Sequence, residues 1–337
     1  MVLVSVEDCT QAALSVLAAA GVPPEHAQMQ VDLLIDAELR GVPSHGMLRF
    51  QRIFDRIANG FADAQTRGIH QWRGEAFLSV DGQNGLGPVV AQYAVDAITA
   101  RAKLTGIAVA AISASNHIGM LAWYAETIAA AGQVAIILTT SEALVHPFGG
   151  RTALLGTNPI AIGVPTDTGP FVIDLATSVV SMGEIHDHAH RGAALQPGWA
   201  VDAQGNPTTD AVAAKSGAIA PFGGAKGYAL GLAFELLVTA LTGAALGRDV
   251  TGTLNASKLC NKGDVFIVID PLSGQGAALS AYLDVLRNTP PADGFDTVLI
   301  PGERGRALKA ERRQSGLMLA DEVWDTLVRL RDQAGAR

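Results

Sequence analysis

IAVAAISASNHIGMLAW, residues 107–123, decides the fold. Its first seven residues, 107–113, have strand length and a β-branched, apolar composition. Ser115-Asn116-His117-Ile118-Gly119 then turns the chain, and the spacing predicts a helix from about Leu121 to Ala131. A strand running into a helix is where a dinucleotide-binding G-x-G-x-x-G is expected. That fingerprint follows no predicted strand here, and G-x-x-x-x-G-K-[ST] does not occur either. The chain therefore reads as α/β, and any dinucleotide is held without the Rossmann turn. Backbone N–H groups at such a corner can meet an anion, Gly119 allows close approach, and His117 is placed to enter a cleft. The same residues also read as an Asn/Ser cap beside a structural histidine.

Working outward, further strands are expected at VAIILTT (134–140), IAIGVPT (160–166), FVIDLAT (171–177), VFIVID (265–270) and TVLIP (297–301). Ser5-Val6-Glu7-Asp8 is a capping box opening a helix that stops at Gly21, and Pro23-Pro24 start a second with Val31, Leu34, Ile35 and Leu39 at helical spacing. A third helix runs from Leu48 to Ala58. Gly82, Gly85 and Gly87 make a turn-rich stretch before a helix at about 89–102. A long loop spans about 183–225, and helices follow at 227–242, 275–287 and 319–333. This divides the chain into a helical unit, 1–75, expected to pack with 302–337, and a strand-bearing unit, 76–301.

The 337 residues are 49% hydrophobic and 17% charged, with 37 glycines, which fits a well-buried α/β protein and excludes a disordered one. A formal charge of −8 without a basic stripe argues against nucleic acid as a partner. Cys9 and Cys260 are too few for a disulfide framework or zinc knuckle, so a cytoplasmic setting is expected. The N-terminus does not read as a signal peptide, and the apolar stretch Ala229 to Leu241 reads as a buried helix, too short to span a bilayer. No membrane association is expected.

SHGMLRFQR, residues 44–52, sets a serine hydroxyl beside an imidazole and, a turn later, Arg49 and Arg52 on one helix face. A proton donor beside guanidinium groups suits a small 2-oxo or 2-hydroxy acid, whose carboxylate an arginine holds through two parallel hydrogen bonds. Gly223-Gly224-Ala225-Lys226-Gly227 puts N–H donors and one cation at a helix start, a phosphate cradle. Gly156-Thr157-Asn158-Pro159 and Asp174-Leu175-Ala176-Thr177-Ser178 are turns whose hydroxyls suit a ribose or amide, or cap the chain reversal. His186, His188 and His190 resemble a metal cluster but lack partners at metal spacing, so no metal is expected and a metal hydrolase is the weaker alternative. Arg304, Arg306, Lys309, Arg312 and Arg313 form a solvated helix face or, if the cofactor carries a 2′-phosphate, its binding site.

These motifs resemble the malate/L-lactate dehydrogenase family of non-Rossmann NAD(P)-dependent oxidoreductases. The family includes malate, lactate, sulfolactate and ureidoglycolate dehydrogenases, diketogulonate reductase and Δ1-piperideine/Δ1-pyrroline-2-carboxylate reductases. The resemblance runs in order through SHGMLR (44–49), SNHIG (115–119), GTNPIAIGVPT (156–166), DLATSVVSMGEI (174–185), PGWAVDAQGNPTTD (197–210), PFGGAKGY (221–228) and IPGER (300–304). It implies a mixed-sheet NAD(P)-binding fold, NAD or NADP as cofactor, a small carboxylate substrate and a homodimer. It further implies Ser44 and His45 as proton relay and donor, His117 as the base of other members, Arg49 on the substrate carboxylate and Thr157 on substrate. Cofactor contacts are implied at His117, Ile118, Gly119, Met120 and Leu121, at Leu175, Ala176 and Thr177, at Gly224 and Lys226, and after Pro301, where Arg304 and Arg306 lie.

Two positions depart from the pattern. Glu184 stands in Gly183-Glu184-Ile185, where many dehydrogenases of the family have lysine, and some cyclic-imine reductases carry an acidic residue near here coupled to the serine–histidine pair. Ala225 stands where G-G-H-K is common. The expected activity is hydride transfer between a nicotinamide and a 2-oxo/2-hydroxy acid. NADPH-dependent reduction of cyclic imino acids, with Glu184 behind Ser44, and a non-catalytic dinucleotide-binding protein remain the alternatives. Specificity is assigned to side chains around Met47, Phe148, Glu184 and His186.

Overall fold

The quoted stretch forms a strand, Ile107–Ser113, and a helix, Leu121–Ala130, and the strand lies next to the centre of a seven-stranded sheet. The computed structural model describes residues 1–272 and 274–335. Its strands are β1 (Val2–Val4), β2 (Ile69–Trp72), β3 (Phe77–Asp81), β4 (Ile107–Ser113), β5 (Val134–Thr139), β6 (Ile160–Val164), β7 (Phe171–Leu175), β8 (Ala200–Val201), β9 (Pro207–Thr208), β10 (Ala218–Ile219), β11 (Asp264–Ile269) and β12 (Leu317–Leu319). Its helices are α1 (Val6–Ala19), α2 (Pro24–Leu39), α3 (Phe50–Ala58), α4 (Gly87–Thr105), α5 (Leu121–Ala130), α6 (Met182–Arg191), α7 (Ala211–Ala214), α8 (Ala225–Thr242), α9 (Gly276–Arg287), α10 (Glu303–Ser315) and α11 (Asp321–Gly335).

The large sheet runs β2-β3-β4-β11-β5-β6-β7. Only β3 and β4 pair in parallel; every other neighbour is antiparallel. In a doubly wound fold β4 and β5, joined by α5, would be neighbours. Here β11 inserts between them, with Phe266 opposite Ala110 on one side and Ile137 on the other. The sheet is therefore mixed, as the family resemblance implied.

Alternation along the strands sorts the two faces. Ala108, Ala110 and Ile112 of β4, Ile137 of β5 and Phe266 and Val268 of β11 join the main core with α2, α4 and α5. Val109, Leu138 and Val265 point the other way, against Val238, Phe234 and Leu241 of α8. The main core also takes in Val16 of α1, Leu34 of α2 and Leu327 of α11. The chain ends meet, since β1 pairs with β12, and α11 packs on α1 while α10 packs on α2.

Several expectations change. TVLIP forms no strand; only Ile300 of it is buried. Strands β1, β2, β3 and β12 add to the expected set. The 183–225 segment is structured: α6, α7 and a small β10-β8-β9 sheet fill it. Ser181 Oγ accepts from Glu184 N–H at 3.1 Å, so Ser-x-x-Glu opens α6. Finally, α8 is buried only along Gly227, Gly231, Glu235 and Val238. By length and composition it would suffice to cross a membrane, but here one stripe of it lies on the sheet and Leu230, Leu236 and Leu237 are exposed. Its Glu235 carboxylate is anchored by Asn158 Nδ2 at 2.7 Å and Gly247 N–H at 2.6 Å.

Candidate active site

Between α2 and α3 the chain makes two 3-10 turns, Pro43–His45 and Met47–Arg49. The first carries Ser44 and His45, and the second ends in Arg49, so the segment is tighter than the single helix entry expected. Ser44 Oγ lies 3.0 Å from His45 Nδ1, and Arg49 Nε donates to Ser44 O at 2.7 Å. Across the cleft, the corner after β4 brings His117 to His45 with ring centroids 5.5 Å apart. His45, His117, Arg49, Arg52, Arg56 and Gly119 are among the residues lining a cavity of about 30 Å³. No carboxylate is among those lining residues.

Electrostatics follow from that lining. Burial and the neighbouring Arg52 lower Arg49 to about 10. Burial and Arg49 push His45 down to about 3. Burial, then Arg49, His45, Lys262 and Arg52, hold His117 well below the usual imidazole value. Both rings, half-buried by surface yet deep in protein, are therefore neutral near pH 7 in the free protein. Gly119 N–H donates to His117 Nδ1 at 2.9 Å, so that nitrogen is an acceptor and the proton of the neutral ring sits on Nε2. Gly119 itself has φ +77°, and a Cβ there would collide with Leu33.

A second group of predicted residues lies along the ends of β6 and β7. Asp174 Oδ2 accepts from Ala122 N–H at 2.8 Å. The start of α5, expected to be free for an anion, is thus capped by this carboxylate. Asp174 is open to solvent at its surface but set among dense protein, and burial raises it to about 6 against the pull of the Ala122 and Leu121 N–H groups and Arg40. Ile118, Met120 and Leu121 are buried beside it and Leu175 is exposed. Past Leu175 and Ala176, Thr177 N–H and Oγ1 both donate to Thr157 O, at 2.8 and 2.9 Å. Thr157 N–H in turn donates to Ser141 Oγ at 2.9 Å. Phe222 N–H donates to Thr177 O at 3.0 Å, which carries the strip to Gly224 and Lys226. There Gly223 and Gly224 have positive φ, no side chain caps the first turn of α8, and Lys226 is exposed. These uncapped N–H groups fit the phosphate of a dinucleotide.

Other predicted residues separate from these groups. Glu184 is on α6, where Gly183 lies near Ser44: a Cβ at 183 would stand 3.5 Å from Ser44 Cβ. Its carboxylate, however, lies 3.4 Å from His188 Nδ1, and no hydrogen bond joins it to Ser44 or His45 among the described residues. Met47 is 2% exposed and sits in the core, not in the cavity. Arg306 donates to Pro170 O at 2.7 Å at the start of β7, and Arg304 is exposed beside it. Lys309 and Arg312 turn to α2, pairing with Asp36 and the Glu38 carbonyl. His186, His188 and His190 lie on the helix α6, where ligand atoms of Glu184, Asp187 and His188 come within 4.8 Å of one another and Arg191 pairs with Asp187 at 2.6 Å.

Sequence reasoning missed three contributors. Arg56 continues the 49, 52 spacing by one turn; its guanidinium binds Asn116 Oδ1 at 2.5 Å and the carbonyls of Asn255 and Lys258. Ser141 supports Thr157. Lys262, 1% exposed, pairs with Asp264, 0% exposed, which also accepts from Thr139 Oγ1 at 2.6 Å. Nothing in the local pattern marks that pair as buried.

A family model described as malate/L-lactate dehydrogenase matches residues 4–328. An L-sulfolactate dehydrogenase from Methanocaldococcus jannaschii is 36% identical over 327 residues, 96% of this chain and 94% of that one. A Delta(1)-pyrroline-2-carboxylate reductase from Ancylobacter novellus is 36% identical over 304 residues, 89% of each chain. The crystal structure of a dehydrogenase from Sinorhizobium meliloti superposes with a TM-score of 0.94 at 51% identity and 98% coverage of both. By fold, by motif order and by these likenesses, the chain belongs to the malate/L-lactate dehydrogenase family of oxidoreductases.

Proposed function

We propose that this protein transfers a hydride between a nicotinamide cofactor and C2 of a small 2-oxo or 2-hydroxy carboxylic acid of the malate, lactate or sulfolactate type. One observation carries the reading: two neutral imidazoles and three guanidinium groups converge on a cavity with no lining carboxylate. Such a site lacks an anion, and a planar carboxylate is what an arginine fork holds best.

Arg49 takes the substrate carboxylate, with Arg52 adding charge. His117 Nε2–H donates to the C2 oxygen. His45, oriented by Ser44, takes the hydroxyl proton in oxidation or returns it in reduction. The cofactor, when bound, supplies or accepts the hydride at C4 of its ring. Residues His117 to Leu121, Leu175 to Thr177, Gly224 and Lys226 would hold it, with Thr157 on the substrate and with Arg304 and Arg306 near the start of β7 as the candidates for an NADP 2′-phosphate. The closeness of Gly183 to Ser44 favours a second reading, a cyclic imino acid as acceptor, because it brings the backbone of Glu184 near the proton pair even though its carboxylate turns to His188.

The exposed apolar face of α8 supports a homodimer. Buried, unpaired Cys9 and Cys260 accord with a cytoplasmic setting. The pairing of β1 with β12 and of α10 with α2 supports grouping 1–75 with 302–337. An NADH and NADPH oxidation screen over pyruvate, oxaloacetate, sulfopyruvate, 2-oxoglutarate, diketogulonate and cyclic imino acids tests the reading. Turnover of cyclic imines alone selects the second reading, and no turnover of any acceptor refutes both. Asparagine at 45 should abolish single-turnover hydride transfer; an unchanged rate would remove His45 from the mechanism.

A further inference from the structure

We infer that Glu38, a buried carboxylate outside the cavity lining, is the positioning residue that fixes Ser44, His45 and Arg49 relative to one another. It lies in the last turn of α2 and is 4% exposed. Its Oε1 accepts from Met47 N–H at 2.7 Å, at the joint between the two 3-10 turns. Among the described residues it is the one side chain from outside residues 43–49 that hydrogen-bonds the backbone of that segment. Gly46 fits the same joint because it has no side chain: a Cβ there would lie 2.6 Å from Glu38 Cδ, closer than atoms can pack.

The consequence is geometric. Upstream of the joint hang the hydroxyl and imidazole that handle the proton, and downstream hangs the guanidinium that holds the carboxylate. Arg49 Nε to Ser44 O closes the segment on the cavity side, and Glu38 closes it on the core side. The segment makes only short 3-10 turns, whose hydrogen bonding is weak. Without the carboxylate the Met47 N–H is left unpaired and the two halves are free to change their angle. A displacement of about 1 Å in such a constellation costs on the order of 100-fold in rate. Around Glu38, Cys9 faces it from α1 and Arg312 from α10; burial raises its pKa, and Met47 N–H and Arg312 lower it.

The inference rests on the proposed reaction, so its test includes a measurement that does not. Glu38→Leu keeps the volume and removes the acceptor, Glu38→Gln keeps an acceptor oxygen, and Gly46→Ala presses on the carboxylate while leaving it in place. For Glu38→Leu and Gly46→Ala, kcat/KM should fall 10- to 100-fold with KM and kcat both affected, since both arms hang from one joint. NADH affinity, followed by fluorescence, should stay within twofold. In the free protein the His45 Hε1 resonance should move in both variants and stay in place in Glu38→Gln, which should also keep activity within a few fold. If Glu38→Leu does not fold, Gly46→Ala decides alone. Unchanged kinetics and an unchanged His45 resonance in a folded variant would overturn the inference, as would a Glu38→Gln protein as impaired as Glu38→Leu. Wild-type protein inert towards every acceptor would refute the proposed reaction instead, leaving the resonance test of Glu38 intact.

Discussion

Replacing Gly119 by alanine should damage stability and chemistry together, and the structure sets the size of both effects. Gly119 has φ +77°, and an alanine in that left-handed conformation costs roughly 1–2 kcal/mol. Its Cβ would also stand 2.8 Å from Leu33 Cδ1 and nearer still to Cδ2, with Leu33 0% exposed. Overpacking of that kind costs about 1–3 kcal/mol. The sum, about 2–5 kcal/mol, is a large part of an ordinary domain's stability. At about 2.1 cal/mol/K per residue of unfolding entropy, a 337-residue chain should lose roughly 3–7 °C in Tm. Leu33 also lines the cavity, so any relief it finds by rotating inward narrows the floor of the site. The Gly119 N–H that fixes the tautomer of His117 moves with the same strain, so kcat/KM should fall about tenfold or more. Urea unfolding of Gly119→Ala, Leu33→Ala and the double variant separates the terms. Removing the leucine should recover about 1–3 kcal/mol of the alanine's cost, measured as coupling in the cycle. Strictly additive effects would refute the claim that the contact with Leu33 is why glycine is needed.

The other expectations are more direct. Arg49→Met removes a two-point clamp on the carboxylate worth about 3 kcal/mol, so KM should rise roughly 100-fold; Arg49→Lys should recover little, because the fork and the Nε–H bond to Ser44 are both lost. Binding of oxamate, a carboxylate that cannot accept hydride, should take up a proton between about pH 3 and 6.5, because burial and then Arg49 hold His45 down and the oxamate charge offsets the Arg49 part; calorimetry in buffers of different ionisation enthalpy reads this, and no uptake would refute it. By the same linkage, a histidine lowered from 6.5 to about 3 makes the unfolded chain bind more protons in that window, so the contribution of His45 to stability is lost as pH falls from about 6.5 towards 3; His45→Gln should flatten the acid side of the Tm–pH curve. Leu236→Asp on α8 should shift the protein to monomer in light scattering if that face is covered by a second copy.

Much of the fold is legible where the signal is local. Ser5 Oγ does cap Asp8 N–H, Pro24 does open α2, and residues 107–113, 134–139, 160–164 and 171–175 are strands. What fails is what depends on partners far along the chain. The insertion of β11 between β4 and β5 joins residues more than a hundred positions apart and leaves no mark on either segment. TVLIP has strand composition but gains no neighbouring strand, and β-propensity without pairing is weak. Helix α6 was hidden because Ile185 is its only buried residue, although Ser181-x-x-Glu184 was there to be read. In the site, Arg49, Arg52 and the two histidines could be named because their side-chain chemistry announces itself. Glu38, Lys262 and Asp264 act from burial, which a single sequence does not display.

The cavity's excess of positive charge also bears on why its histidines can serve one class of substrate. Burial, and after it Arg49, make His45 in the free site resist a proton, and the Gly119 N–H fixes His117 as a donor. A neutral molecule entering this cavity finds a hydrogen-bond donor and a base but no acid. On the proposed reaction an anion shifts that balance: its carboxylate offsets the contribution of Arg49, so His45 takes a proton more readily while Ser44 keeps the ring in place. Binding and acid formation are then one electrostatic event, so the group that identifies the substrate also prepares the proton it needs. In the oxidative direction the order reverses, since the resting imidazole is already neutral and receives the hydroxyl proton directly. On that proposed reading a single constellation serves both directions, with the substrate's own charge helping to set the protonation state each one requires.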